Sequence, residues 1–535
     1  MADIMSDTSA SLPAPSVSFD GGDLDCGNGL LLLIRRHIDP LAAGQLLEIF
    51  STEASVEDDL PSWCRLTGNE LVALERNGHR RRFLVSKGKF DKAHASATIA
   101  DAATRGSKTS SDSPSGAARP REQAPITQSI TPVVIPVSLP SPSPVAAVAA
   151  LSVTAVGSWP RPRWLLRALH ERLEGRLSDE EFERTADDAV RLAVAAQQRA
   201  GADLVTDGEQ RRDNYASFVG ARLDNCQLIP ITDLLPYVED PEEFARELRA
   251  LDVPAAEVRH PAVFGALGRS RSLAVHELEF VRTVAPAAAV KVALPGPYLL
   301  ARTMWMECIS DRAYARREDL AVDIVRVLRE ELHFLLAAGA SIVQLDEPVL
   351  SEVVYGNSGT GGRTFMCGAL GAKRPVDEEL MFARDLLNAV VAGLPRERLA
   401  LHVCRGNWTT DESVALAGDY RPLLPVLGGV AVGTLFLELC TPRAGELEVL
   451  SALPDDLRIG VGVINQKEQR VESLDEVLAR AARAVALFGP ERVLLNPDCG
   501  FATFADNPIV TSELAEQKLA VIVRAAEALR SRHRL

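Results

Sequence analysis

Aromatic residues make up only 5% of the chain, and 58 basic side chains are outnumbered by 73 acidic ones, for a formal net charge of −15. Phosphate binding needs a basic footprint, so this balance argues against nucleic acid or an acidic membrane surface as a partner. Cysteine is sparse, eight in 535 residues, too few for a disulfide scaffold but enough for metal or thiol chemistry. Long hydrophobic runs are missing. The longest, Val145–Val156, falls short of the roughly 20 residues that cross a bilayer. Met1–Ser18 is polar, acidic and rich in Pro and Ser, with no basic stretch leading into an apolar one, so no targeting segment is read there. The expectation is a cytoplasmic protein whose thiols stay reduced.

With 47% hydrophobic residues there is ample material for a core, and the length leaves room for three or four domains at about 150 residues each. Composition divides the chain into three zones. Residues 17–90 are well patterned. Residues 91–150 carry eight prolines between Pro114 and Pro144 and no aromatic after Phe90, and read as a disordered tether of polyproline character. Residues 151–535 alternate apolar runs with amphipathic helical stretches.

Eight apolar runs stand out in that last zone: Val153–Val156, Asp203–Thr206, Val290–Leu294, Ser341–Leu345, Leu399–Val403, Gly433–Leu437, Arg458–Val463 and Arg492–Leu495. Between most of them, stretches such as Asp188–Ala200, Leu320–Ala337, Glu379–Val391 and Leu474–Leu487 repeat apolar residues at helical spacing, as does Ser512–Leu529 at the end. The pattern predicts an α/β fold, a (β/α)8 TIM barrel, with its largest insertion at Arg211–Ala289. Active sites in such barrels sit at the C-terminal ends of the strands. Those ends carry Gly157-Ser158, Asp207-Gly208-Glu209, Asp346-Glu347-Pro348, His402 and Cys404, Glu438, Asn465 and Lys467, and Asp498-Cys499.

His402 and Cys404 are two apart on a strand, so they point to the same side. Glu438 and Cys499 end later neighbouring strands, and a closed barrel brings all four to one mouth. One imidazole, two thiols and a carboxylate make a tetrahedral zinc set. Pairing of Glu438 with Arg443 is the alternative for that acid. Two thiolates and a carboxylate around Zn2+ give a charge of about −1, unsuited to water activation but suited to holding a substrate thiol as an electron-rich thiolate. Cys226, Cys308, Cys367 and Cys440 read as core thiols, and Gly356–Gly362 as a flap over the mouth.

The segments TAVGSWPRP (154–162), TDGEQ (206–210), QLDEP (344–348), HVC (402–404) and NPDCGF (496–501) resemble, in order, the catalytic half of cobalamin-independent methionine synthase, and more closely its short single-barrel relatives. The resemblance spans about residues 152–535. It implies a zinc-dependent S-methyltransferase that makes methionine from homocysteine, with His402, Cys404, Glu438 and Cys499 as zinc ligands. It further implies that Ser158 holds the amino-acid carboxylate, and that Glu209 and Asp346 hold its ammonium group. The second barrel of the full-length family is missing here, which leaves the methyl donor, a methyl-folate or another, open. Lys467 aligns near the family's general-acid histidine; a solvated loop lysine is its other reading. Trp305 follows the Pro295–Pro297 turn and is read either as a surface for a pterin or as core packing.

Residues 17–90 read as β-α-β-α-β-β, a small two-layer sandwich with an Asn77-Gly78 hairpin turn. Cys26 lies just before the first helix, where unpaired N–H groups stabilise a thiolate. The segment, with Leu24-Asp25-Cys26 and LPSWCRLTGNEL (60–71), resembles the TusA/SirA sulfur-carrier family, which implies a persulfide on Cys26 and a cysteine desulfurase or other sulfur donor as partner. The family's Cys-Pro-x-Pro is here Cys26-Gly27-Asn28-Gly29. Three other readings stand beside methyl transfer: a sulfur relay from Cys26 to the barrel, another zinc-dependent thiol alkylation such as epoxide opening, and a docking role for the first domain.

Overall fold

The computed structural model describes residues 15–90, 130–230, 259–356 and 374–535, apart from breaks at 23–29, 31–33, 35–36, 39–40, 54–55, 68, 79, 174–175, 306–309, 311–312, 408–409 and 506–507. Contacts divide the chain into two compact units, residues 1–120 and 121–535.

In the first unit, β1 (Val17–Asp20), β2 (Leu46–Ser51), β3 (Glu70–Asn77) and β4 (Arg80–Ser86) form one sheet in the order β1-β2-β4-β3. β1 runs parallel to β2, and β4 antiparallel to β2 and β3. Gly78 turns the β3–β4 hairpin at a φ of +63°, which only glycine adopts without strain. Leu30, Ile34 and Ile38, at four-residue spacing, are fully buried and pack with Ile49, Leu60, Cys64 and Phe83. Leu60 and Cys64 come from the helix Val56–Leu66. The expected Cys26 lies outside the described residues, and so does the region 91–129.

In the second unit, β5 (Leu204–Val205), β8 (Ala289–Pro295), β9 (Ile342–Asp346), β10 (Leu399–Val403), β11 (Thr434–Leu437), β12 (Arg458–Ile464) and β13 (Val493–Pro497) form a parallel sheet in chain order. Val153 bridges to Leu495 of β13 and Thr154 to Leu204 of β5, both in parallel. The run at 153–156 thus links the two outer strands, and the sheet curls as a TIM-like barrel requires. β9, β10, β11 and β13 are buried along their whole length, the reason their sequences are near-continuous apolar runs rather than alternating ones. β6 (Asp224–Pro230) and β7 (Arg259–Gly268) pair as an antiparallel ribbon inside the expected insertion.

The helices start where side chains can satisfy their free amides. Ser178 opens Asp179–Ala200 and Ser473 opens Leu474–Phe488, each in a capping box with a glutamate three residues on, Glu181 and Glu476. Inside the sheet, Leu204, Ile342, Ala400, Phe436 and Leu494 form an apolar layer, and Val148 packs against it.

Val148 belongs to a stretch that composition assigns to the tether. Residues 130–150 are instead tied to the second unit. Ser143 donates its backbone N–H to Leu336 O at 3.1 Å and accepts from Arg398 at 2.7 Å. Arg458 donates to Val148 O and Ala149 O, and Asn225 exchanges hydrogen bonds with Thr131. An extended proline-rich chain has no internal hydrogen bonds, so its carbonyls are open to donors elsewhere, and composition does not reveal whether such donors exist. In the flap segment, Gly356 ends the helix Val349–Tyr355, while 357–362 fall outside the described residues.

Candidate active site

The strand ends bring their polar residues together as the barrel pattern anticipates. One cavity is lined by Gly157 and Ser158 after the first run, Glu209 after β5, Gln344 and Asp346 on β9, His402 on β10, Cys404 just after it, and Cys499 after β13. Val156, Tyr215, Pro348, Asn407, Gly500 and Thr503 complete its wall. Cys404 and Cys499, 95 residues apart in sequence, have their sulfurs 3.5 Å apart. Glu438 sits behind them, and its carboxylate and the two sulfurs lie within 4.8 Å of one another.

Two buried thiols beside a carboxylate are a costly arrangement without a cation. The Cys499 thiol is pushed well above its ordinary value by its hydrogen bond with Cys404, by burial, and by the charge of Glu438. A divalent cation reverses that cost, because thiolates and carboxylates are the ligands it prefers. Glu438 fits both of its readings at once. One oxygen accepts from the Arg405 amide at 2.7 Å and the other from Arg443 at 3.1 Å, which orients the carboxylate beside the sulfurs.

His402 stands next to Asp346 in register, and its Nδ1 lies 2.9 Å from Asp346 Oδ1. Its Nε2 is buried and makes no hydrogen bond among the described residues. His402 lines the cavity with the two sulfurs but stands outside the close group that they form with Glu438; imidazole nitrogen, sulfur and carboxylate oxygen are donors that suit zinc.

Two glycines make room for polar side chains at the cavity. A Cβ on Gly157 would lie 2.3 Å from Glu209 Oε1, and one on Gly500 would lie 2.2 Å from Ser158 Oγ, so each admits the functional side chain beside it. Glu209 itself adopts a left-handed φ of +55°, a conformation that costs a non-glycine residue of order 1 kcal/mol and is common at functional positions. Arg161 holds this turn, donating at 2.7 Å to the carbonyls of both Glu209 and Arg212. Burial raises the Glu209 carboxyl to about 7, against the pull of Arg212, with Asp346 adding to the rise. Glu209 Oε2 is buried without a hydrogen-bond partner among the described residues. Ser158 Oγ accepts the Ala502 amide at 3.3 Å, which leaves its proton free to donate.

The segment QLDEP divides its work. Asp346 enters the cavity, while Glu347 turns away and accepts the amides of Tyr298 and Leu299 at 2.7 and 2.9 Å. It thereby caps the helix Pro297–Met304. Burial nevertheless lifts the Glu347 carboxyl to about 8.

Two expected residues have other surroundings. Lys467 is not the solvated loop lysine of its second reading: it is 3% exposed, and its Nζ has no hydrogen-bond partner among the described residues. Trp305 is half-buried against the core and donates Nε1 to Tyr314 O at 3.2 Å. Neither is among the residues lining the cavity. Sequence reasoning missed Asn407, whose amide bridges Gly500 O and Thr503 Oγ1 at 2.7 Å each; no spacing rule marks it. Gln344 had a signal, since it lies two residues before Asp346 on the same strand face.

A family model described as the catalytic domain of cobalamin-independent synthase matches residues 151–360 and 400–528. The chain belongs to that family. It is thereby a methyltransferase, as the sequence led one to expect, and the match begins beyond the N-terminal unit. The methionine synthase of Saccharolobus solfataricus is 26% identical over 380 residues, covering 71% of this chain and 95% of the relative. That of Sulfurisphaera tokodaii is 27% identical over 380 residues, covering 71% and 93%. A B12-independent methionine synthase from Shewanella sp. W3-18-1, solved in complex with selenomethionine, shares the fold with a TM-score of 0.53 at 23% identity, over 72% of this chain and 99% of that one. A putative vitamin-B12 independent methionine synthase from Listeria monocytogenes gives 0.50 at 20%, over 72% and 99%.

Proposed function

We propose that the chain transfers a methyl group to the sulfur of homocysteine, forming methionine, with zinc held by His402, Cys404, Glu438 and Cys499 and a methyl-folate as donor. The observation that carries this reading is the close group of Cys404, Glu438 and Cys499 at a cavity that His402, Glu209 and Asp346 also line. When bound, zinc lowers the pKa of a coordinated thiol, so the substrate sulfur is nucleophilic at neutral pH.

The chain's own residues do the rest. Glu209 and Asp346 receive the ammonium group, which neutralises two acids that burial otherwise penalises. Ser158 donates to the carboxylate. Lys467, a buried ammonium without a hydrogen-bond partner among the described residues, is the proton donor to the leaving nitrogen, because a tertiary amine departs only when protonated. Trp305 is the aromatic face proposed for the pterin. Cys499→Ser should abolish methionine formation and lower bound zinc from about one per chain. An unchanged rate in that variant refutes the reading. A panel of methyl-folate, its polyglutamate and a methyl-corrinoid protein identifies the donor.

The N-terminal unit supports a second, compatible role. Its four strands and the helix Val56–Leu66 fall where the sequence pattern expects them, which supports reading it as a sulfur-carrier module; most of the first helix expected at Gly29–Ile38 lies outside the described residues. Persulfide on Cys26 is tested by mass spectrometry after incubation with a cysteine desulfurase; no added sulfur on Cys26 excludes it.

A further inference from the structure

One layer below the cavity lies a buried cation that the chemistry above leaves unused. Lys291 stands on β8, 1% exposed, with Nζ 4.2 Å over the Phe436 ring and donating to Gln344 Oε1 at 2.8 Å. Gln344 Nε2 donates to Asp346 Oδ1 at 2.7 Å. The same oxygen is the partner of His402 Nδ1. Four side chains from three adjacent strands thus form one hydrogen-bonded chain.

Its direction follows from donor and acceptor chemistry. An ammonium only donates, an ionised carboxylate only accepts, and an amide has one end of each kind. Lys291 therefore holds the Gln344 carbonyl toward itself and its NH2 toward Asp346. A flipped Gln344 would set NH2 against ammonium and carbonyl against carboxylate. Asp346 in turn requires the proton of His402 on Nδ1, which leaves the lone pair on Nε2, the buried ring nitrogen without a partner. Burial lowers the Lys291 ammonium to about 7, against Asp346 and Glu209, which favour its charge; the amine donates to Gln344 in either state, and below that pH its charge also offsets the repulsion of the two acids.

We propose that Lys291 is a positioning residue: by setting the polarity of the Lys291–Gln344–Asp346–His402 chain, it fixes the His402 tautomer that presents Nε2 to a divalent cation. The role rests on the zinc reading for its purpose, but not for its test. Ring-15N-histidine NMR of the metal-free full chain should show His402, assigned by loss of its signals in His402→Gln, with Nδ1 protonated and Nε2 bare. In Lys291→Met the two nitrogens should move toward averaged shifts. Zinc affinity, from competition with a chromogenic chelator, should fall about tenfold, as for other groups that orient a metal-ligating histidine. Gln344→Leu cuts the next link and should give the same tautomer change, which keeps the test open if Lys291→Met does not fold. Unchanged His402 shifts in a folded variant overturn the proposal whatever its zinc affinity. A wild-type chain that takes no zinc refutes the metal reading, while a tautomer change in Lys291→Met still upholds Lys291.

Discussion

Glu209 makes the cavity sensitive to pH, and on the proposed function, in which it receives a substrate ammonium, the size of the effect follows from its burial. Its carboxyl stands at about 7 in the folded chain against an ordinary 4.5. At 1.36 kcal/mol per pKa unit, ionising it in the empty cavity costs about 3 kcal/mol. A ligand ammonium beside Glu209 returns that energy. Ligand affinity should therefore be flat above about pH 7 and fall by up to one decade per pH unit below it. At pH 5.5 the loss is about thirtyfold, and its limit at lower pH is about 300-fold. Isothermal titration with L-methionine, which has no thiol to titrate in this range, measures it, and Glu209→Gln should bind weakly with little slope. The folding side has the opposite sign. The folded value lies above the unfolded one, so ionisation opposes folding: the penalty is absent below about 4.5, grows as pH rises, and is complete above about 7. Glu209→Gln should thus raise the thermal midpoint at pH 8 and leave it unchanged at pH 4. A flat affinity profile in the wild-type chain, or an equal slope in Glu209→Gln, refutes the reasoning.

Gly157→Ala would place a methyl 2.3 Å from Glu209 Oε1; methionine affinity should drop at least tenfold with the circular dichroism spectrum kept, and unchanged affinity would show that the carboxylate does not need that space. Lys518 and Glu472 form a fully buried pair at 2.7 Å, and Lys518 also donates to Asn465 O in the loop that carries Lys467. Lys518→Met strands the acid and should cost about 3–5 kcal/mol, read as a lower urea midpoint for the barrel unit; a loss under about 1 kcal/mol contradicts the pairing. Loss of methionine formation and of zinc in Cys499→Ser, and the altered His402 tautomer in Lys291→Met, complete the set.

Much of the barrel could be read in one dimension because its rules are local. Period and length separate buried parallel strands from amphipathic helices, a serine three residues before a glutamate marks a helix start, and strand ends are known once strands are. His402 and Cys404 share a face by alternation alone, and QLDEP announces a polar strand end. The four strands and the helix Val56–Leu66 in residues 17–90 were legible for the same reason.

What needed the tertiary structure is whatever depends on closing the sheet. The contact of Cys404 with Cys499, the use of Glu438 by both Arg443 and the sulfurs, and the burial of Lys467 are set by strands and loops far apart in the chain. The tie of residues 130–150 to Arg398 and Arg458 belongs here too, since composition reports a segment's own hydrogen-bonding needs and not the donors waiting elsewhere. Lys291 is the clearest case. In the sequence it is one charged residue inside an apolar run, a mismatch without a partner. Pairing of β8 with β9 sets Gln344 beside it, and curling of the sheet brings Phe436, three strands away on β11, against its Nζ. Sequence by itself determined the elements and most of the chemistry-bearing positions; only their enclosure decided which of them touch.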